Sequence, residues 1–181
     1  VCFVAKEIIE AIRRYNSRAR KADAIRILLI EELELNKWTI QSLRSTLNVI
    51  ATQMELNPQS QLFLKRDASG GVHFRYRRSD GGGGSAIPDV HRKHFDEFLP
   101  ELAEVDKVLF EQARKGYERI GQLEHVRNSL VAYLAEDDPD EQCHLQGFPS
   151  YGLRVLDDVE KQMSAFYVIC SGRPFEKARL R

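Results

Sequence analysis

The stretch GQLEHVRNSLVAYLAEDD, residues 121–138, holds the residue types best suited to chemistry on a charged substrate. Arg127 is a planar, permanently charged donor that matches phosphate or carboxylate oxygens in pairs, and the Asn128 amide beside it donates to oxygen as well. Taken as a helix at ~100° per residue, Leu123, Leu130 and Leu134 form one stripe with Val126 at its edge, and Arg127 falls close to that stripe. A guanidinium there must snorkel outward or be held by partners, because burying it unpaired is costly. Asn128 and Ala132, four residues apart, share a different face with Glu124.

The segment VRNSLVA resembles the Arg-x4-His motif of the HEPN superfamily, small helical-bundle domains many of which are metal-independent ribonucleases. Arg127 matches the motif arginine, Asn128 the polar residue that often follows it, and Leu130 and Val131 its apolar pair. The position due for histidine is Ala132. The resemblance implies RNA cleavage by the substrate's own 2′-hydroxyl, leaving a 2′,3′-cyclic phosphate and a 5′-hydroxyl. Histidine suits the proton transfers because its pKa lies near working pH, and arginine and asparagine suit the charge that develops on the phosphate. It further implies a two-fold homodimer in which each chain supplies half of one cleft, and an antitoxin or defence-system partner. Alanine at 132 cannot carry a proton, so the chain is expected to be inactive, with deliberate replacement of histidine favoured over natural loss. The competing expectation is a non-catalytic helical dimerisation, RNA-binding or adaptor module.

Other residues near the motif carry less. His125, seven before Ala132, reads as a solvated surface histidine, Glu124 as half of a surface ion pair and Tyr133 as packing. In VHFRYRRSD the side chains alternate, with His73, Arg75 and Arg77 on one strand face and Phe74, Tyr76 and Arg78 on the other. Arg75, Arg77 and Arg78 are the candidate RNA contacts, with a ring stacking on a base; a solvated edge strand protected by charge explains the pattern about as well. Arg13, Arg14, Arg18, Arg20 and Lys21 line an RNA path or form a plain polar helix end. The acidic run 136–141 reads as a solvated loop, so no metal site is expected, and nothing in the sequence asks for a cofactor.

The elements that must position these residues are mostly helical. Three helical patterns open the chain: Val4, Ile8, Ile9 and Ile12; then Ile25, Leu28, Leu29 and Leu33; then Ile40, Leu43, Leu47 and Ile50 behind Thr39 as N-cap. Trp38 reads as core. Two alternating segments, 61–65 and 72–77, flank a turn and predict a β-hairpin over 61–78. GGGGS at 81–85 has the composition of a flexible connector, and reads as a man-made linker because nothing else in the chain is low-complexity and it starts without methionine. A short helix near 89–98, a restart at Pro100, a long helix with Gly116 and Gly121 as kink points, a loop and a final helix from Leu153 to Cys170 complete the pattern.

At 181 residues the chain suits one domain, an all-α HEPN-like bundle with an inserted hairpin. Acidic and basic residues balance at 27 each, so any RNA binding must use a local patch rather than a global field. Cys2, Cys143 and Cys170 are too few and too scattered for a disulfide framework or zinc site, which points to a reducing cytoplasm. No apolar run approaches the ~20 residues of a membrane helix, and no membrane association is expected.

Overall fold

The computed structural model describes residues 2–56, 59–136 and 144–175. The first 56 residues contain neither glycine nor proline, so nothing breaks the i→i−4 hydrogen-bond ladder. The three expected helices are therefore one, α1 (Cys2–Leu56). Thr39 is not an N-cap: it sits in mid-helix, and its hydroxyl bonds back to Leu35 O at 3.3 Å. Ile25, Leu29, Leu33, Ile40, Leu43, Leu47 and Ile50 make the buried stripe of α1. Trp38 lies on the opposite side of the helix, 37 % exposed, and is not part of the core.

Three antiparallel strands follow in the order β1-β2-β3: β1 (Gln61–Arg66), β2 (Val72–Arg78) and β3 (Gly81–Ala86). The expected hairpin is present as β1 and β2, with Phe63 opposite Arg75 and Lys65 opposite His73. Its turn is closed by the Asp67 carboxylate, which accepts from Ser69 N at 2.9 Å, Ser69 Oγ at 2.7 Å and Gly71 N at 2.7 Å, and meets His73 Nε2 at 3.0 Å. The Ser69 hydroxyl first, then His73, hold this carboxyl well below the ordinary carboxylate range.

The glycine run is not a flexible connector. It is strand β3, paired along β2 from Arg78 opposite Gly81 to His73 opposite Ala86. Ladder hydrogen bonds need only backbone, and at Gly82 and Gly84 the strands approach too closely to admit a side chain. A Cβ on Gly82 would lie 2.6 Å from Tyr76 O, and one on Gly84 would overlap Phe74 O.

The remaining helices are α2 (Lys93–Val105), α3 (Lys107–Ala135) and α4 (Phe148–Ser171). The stretch 89–92 has no regular secondary structure, and Pro100 lies inside α2 rather than starting a helix. Asp106 separates α2 from α3 and caps the latter, accepting from Leu109 N at 2.9 Å. α3 runs unbroken through Gly116 and Gly121. α4 starts five residues earlier than the apolar pattern suggests, with Pro149 in its first turn, and ends at Gly172 in the left-handed region, φ 67°.

The core lies where α1, α3 and α4 meet, with α2 and the sheet closing its flanks. Residues 137–141 of the acidic run lie outside the described residues. Among the described residues no helix is long and apolar enough to cross a membrane.

Two glycines test this account in opposite directions. Gly84→Val forces a branched side chain into the β2 backbone and is expected to lower stability by about 1–3 kcal/mol. Gly121→Ala adds a methyl to open space within a helix, where nothing lies within 4 Å, and is expected to raise it by up to about 1 kcal/mol. Denaturant unfolding of the two variants against the parent chain checks both signs.

Candidate functional site

The site is built on α3, and α3 is oriented by its own apolar stripe. Ile120, Leu123, Val126, Leu130 and Leu134 are fully buried or nearly so, which turns Asn128 and Ala132 outward to solvent. Val126, expected at the edge of this stripe, lies within it. Arg127 falls at the boundary, its side chain 16 % exposed.

All three guanidinium nitrogens of Arg127 have partners. Nε donates to Pro88 O at 3.3 Å, one terminal nitrogen donates to Asn128 Oδ1 at 3.1 Å, and the other is ion-paired to the Asp89 carboxylate. Arg127 is thus held rather than snorkelling free, and its main holder is the irregular segment between β3 and α2. Asp89 itself is 80 % exposed, so the pair sits at the protein surface with one side in water.

That segment is in turn fixed by α1. Thr39 Oγ1 donates to Asp89 O at 3.0 Å; Asn36 receives His91 N at 2.8 Å and donates to His91 O at 2.5 Å. Two steps toward the N-terminus, the buried Glu32 carboxylate accepts from His94 N at 2.6 Å, from Phe95 N at 3.4 Å and from the Tyr117 hydroxyl. Burial first, and then the adjacent Glu32 charge, push the Tyr117 phenol far above its usual pKa, so it stays protonated and donating.

Arg92 closes the other side of the site. It grips Asp96 through two hydrogen bonds, at 3.0 and 3.1 Å, and reaches Glu124 at 3.5 Å. Glu124 therefore closes an ion pair, as the sequence suggests, and its partner is Arg92 rather than the motif arginine. The bond to Asp96, above all, raises the Arg92 pKa.

The candidate residues are brought together only in part. Arg127 and Asn128 are hydrogen-bonded, and Asn128 and Ala132 share the outward face, but Arg127 and Ala132 diverge by ~140° around α3. His125 lines a separate open cleft of about 420 Å³ with Glu118, Gln122, Tyr151 and Asp158. In the sheet, Arg75 and Arg77 are exposed on the outer face, where Arg77 lies 5.7 Å from the Phe63 ring. Arg78 is on the other face, 5.7 Å from the Tyr76 ring and 3.1 Å from Asp80, so the three arginines do not form one surface. Phe74 is fully buried and cannot stack on a base; Phe63 is the ring on the basic face.

No cluster of metal-ligating side chains occurs among the described residues. Cys170 is buried, and burial pushes its thiol up to about 12, which makes it inert as a nucleophile. The residues that sequence reasoning missed are Asp89, Asn36, Thr39 and Glu32. A signal for three of them exists: Glu32, Asn36 and Thr39 interrupt the apolar stripe of α1 at helical spacing.

No family model matches the chain, and neither does any curated protein or solved structure.

Two substitutions test the scaffold of the site. Asn36→Ala leaves both backbone groups of His91 without their partner; a loss of about 1–3 kcal/mol is expected, with faster hydrogen exchange at the His91 amide. Arg127→Ala strips the clamp from Pro88 and Asp89 and is expected to cost about 1–2 kcal/mol, a fall in Tm of roughly 2–8 °C by calorimetry.

Proposed function

We propose that the chain is a HEPN-like ribonuclease domain disabled at position 132, acting as a homodimer. The observation that carries this reading is the motif's arrangement on α3: Asn128 and Ala132 face outward together, and Arg127 is hydrogen-bonded to Asn128 at their edge. In a single chain these groups are half of a site, since the outward face holds no second set opposite them. A two-fold partner presenting the same face supplies that set.

In the active form a histidine at 132 takes up the proton from the 2′-hydroxyl or delivers one to the leaving 5′-oxygen. The 2′-oxygen bonds to phosphorus as the bond from phosphorus to the 5′-oxygen breaks, and no metal takes part in the step. Arg127 and Asn128 stabilise the charge on the non-bridging oxygens. Arg127 must then exchange Asp89 for phosphate, an exchange of one anion for another at a half-open surface. Arg75 and Arg77, on the outer face of the sheet, extend the contact to the RNA backbone.

One observation favours a second reading. Every nitrogen of Arg127 is already used within the chain, which is what a structural arginine does. On that reading the chain is a non-catalytic helical module that binds RNA or another protein.

Cleavage of a mixed RNA pool in EDTA separates the two. The chain as it stands, Ala132→His, and Ala132→His combined with Arg127→Ala are compared. The single variant is expected to cut at least a hundredfold faster than the other two and to leave cyclic-phosphate ends. A folded, dimeric Ala132→His variant that cuts nothing sinks the ribonuclease reading and leaves the binding module.

A further inference from the structure

The first turns of α1 carry an amphipathic surface that the bundle does not use. Residues 6, 7 and 9–21 are all exposed, and the first buried side chain described along the helix is Ala22. Roughly 20 residues, ~30 Å of helix, therefore run past the packed body. The ion pair of Lys21 with Glu101 ties the end of this arm to α2.

At ~100° per residue the arm divides cleanly. Ile9, Ala11, Ile12, Tyr15 and Ala19 fall in one sector, and every charged residue from Lys6 to Lys21 falls in the other. Ile9, Ile12 and Tyr15 are 51 %, 54 % and 74 % exposed. Three large apolar side chains in successive turns, all open to water, mark a surface that meets something apolar.

The flanks say what that is. Arg13 and Arg20 border the apolar sector on one side and Arg18 on the other, none with an acidic partner among the described residues. Glu10 lies nearly opposite Ile12 and is occupied by its own neighbours, Lys6 at 4.0 Å and Arg14 at 3.8 Å. Glu7 lies beside Arg18 on its flank, yet both flanks keep a net positive charge, so a second copy laid on this stripe would bring like charges together. An anionic lipid surface suits both parts of the arm at once. Ile9 and Ile12 enter the boundary of headgroups and acyl chains, the Tyr15 ring sits at the interface, and the arginine stems extend sideways to place their charges on lipid phosphates and carboxylates. The charges at Lys6, Glu7 and Glu10 keep the arm on the surface rather than across it.

We infer that residues 6–21 of α1 form an interfacial helix that binds an anionic bilayer surface and holds the bundle there. The inference is independent of the ribonuclease reading and sets the location at which either activity of the bundle is exercised.

Co-sedimentation of the full chain with phosphatidylcholine vesicles, with and without phosphatidylserine, tests it. Binding is expected only with phosphatidylserine present, weakened about fivefold by each Arg→Ala change at 13, 18 or 20, lost in Ile12→Glu and retained in Ile12→Leu. These positions are exposed, so Tm and far-ultraviolet dichroism should not move, and a variant that fails to bind while folded is informative. Equal binding to both vesicle types, or none to either, overturns the inference. A concentration-dependent dimer abolished by Ile12→Glu, without vesicle binding, would assign the stripe to a second copy instead. RNA retention lost with the arginines but indifferent to Ile12→Glu, again without vesicle binding, would assign the flanks to nucleic acid.

Discussion

The structure depends on a row of polar side chains buried along one face of α1. Glu32 is its most consequential member. Helix α2 starts at Lys93 with Arg92 in the capping position, and Arg92 provides no side-chain cap. The amides of His94 and Phe95 are satisfied instead by Glu32, 62 and 63 residues away in sequence. A carboxylate at a helix N-terminus is favoured by both the free N–H groups and the helix dipole, and here it comes from another helix. Tyr117 adds a third donor from α3 and stacks on Phe95, ring centroids 3.9 Å apart. One buried anion thus links α1, α2 and α3. A buried charge is tolerated only when its hydrogen-bonding capacity is met, and Glu32 meets that condition through three separate elements.

Farther along α1 the same row organises the chain between sheet and helix. Asn36 holds both backbone groups of His91, Thr39 holds Asp89 O, Ser42 donates to Ala86 O at 3.0 Å, and Thr46 shares a 2.6 Å hydrogen bond with Ser85. The segment 87–92 has no regular structure between β3 and α2, yet the carbonyls of Pro88 and Asp89 and both backbone groups of His91 meet side chains. The position of Pro88 and Asp89, and through them the posture of Arg127, follows from this clamp. The geometry of the candidate site is accordingly a property of α1 as much as of the motif helix that bears it.

The places where sequence reading and structure part have identifiable causes. The α1 polar row interrupts an apolar stripe, and an interrupted stripe looks like a helix end; the absence of glycine and proline over 56 residues was the better guide. GGGGS looks like a spacer because glycine has no side chain to pack. In the sheet that same lack lets β3 press against the β2 backbone, so the property that suggested freedom serves confinement. Which ring of the hairpin is free to stack was not legible, because strand alternation says which residues share a face but not which face meets the core, and Phe74 proves buried.

By itself the sequence determined what local periodicity and composition can carry. It specified a largely helical chain with a hairpin at 61–78, the apolar stripe of α3, the outward Asn128 and Ala132 and the boundary position of Arg127. Only the tertiary structure decided what holds Arg127, what caps α2, how the glycines are used and which arginines of the hairpin share a surface. Each of these is a hydrogen bond or close approach between residues distant in the chain or on adjoining strands. Such contacts are set by how elements pack, and a pairing between one backbone carbonyl and one side chain leaves no repeat in the sequence to be read.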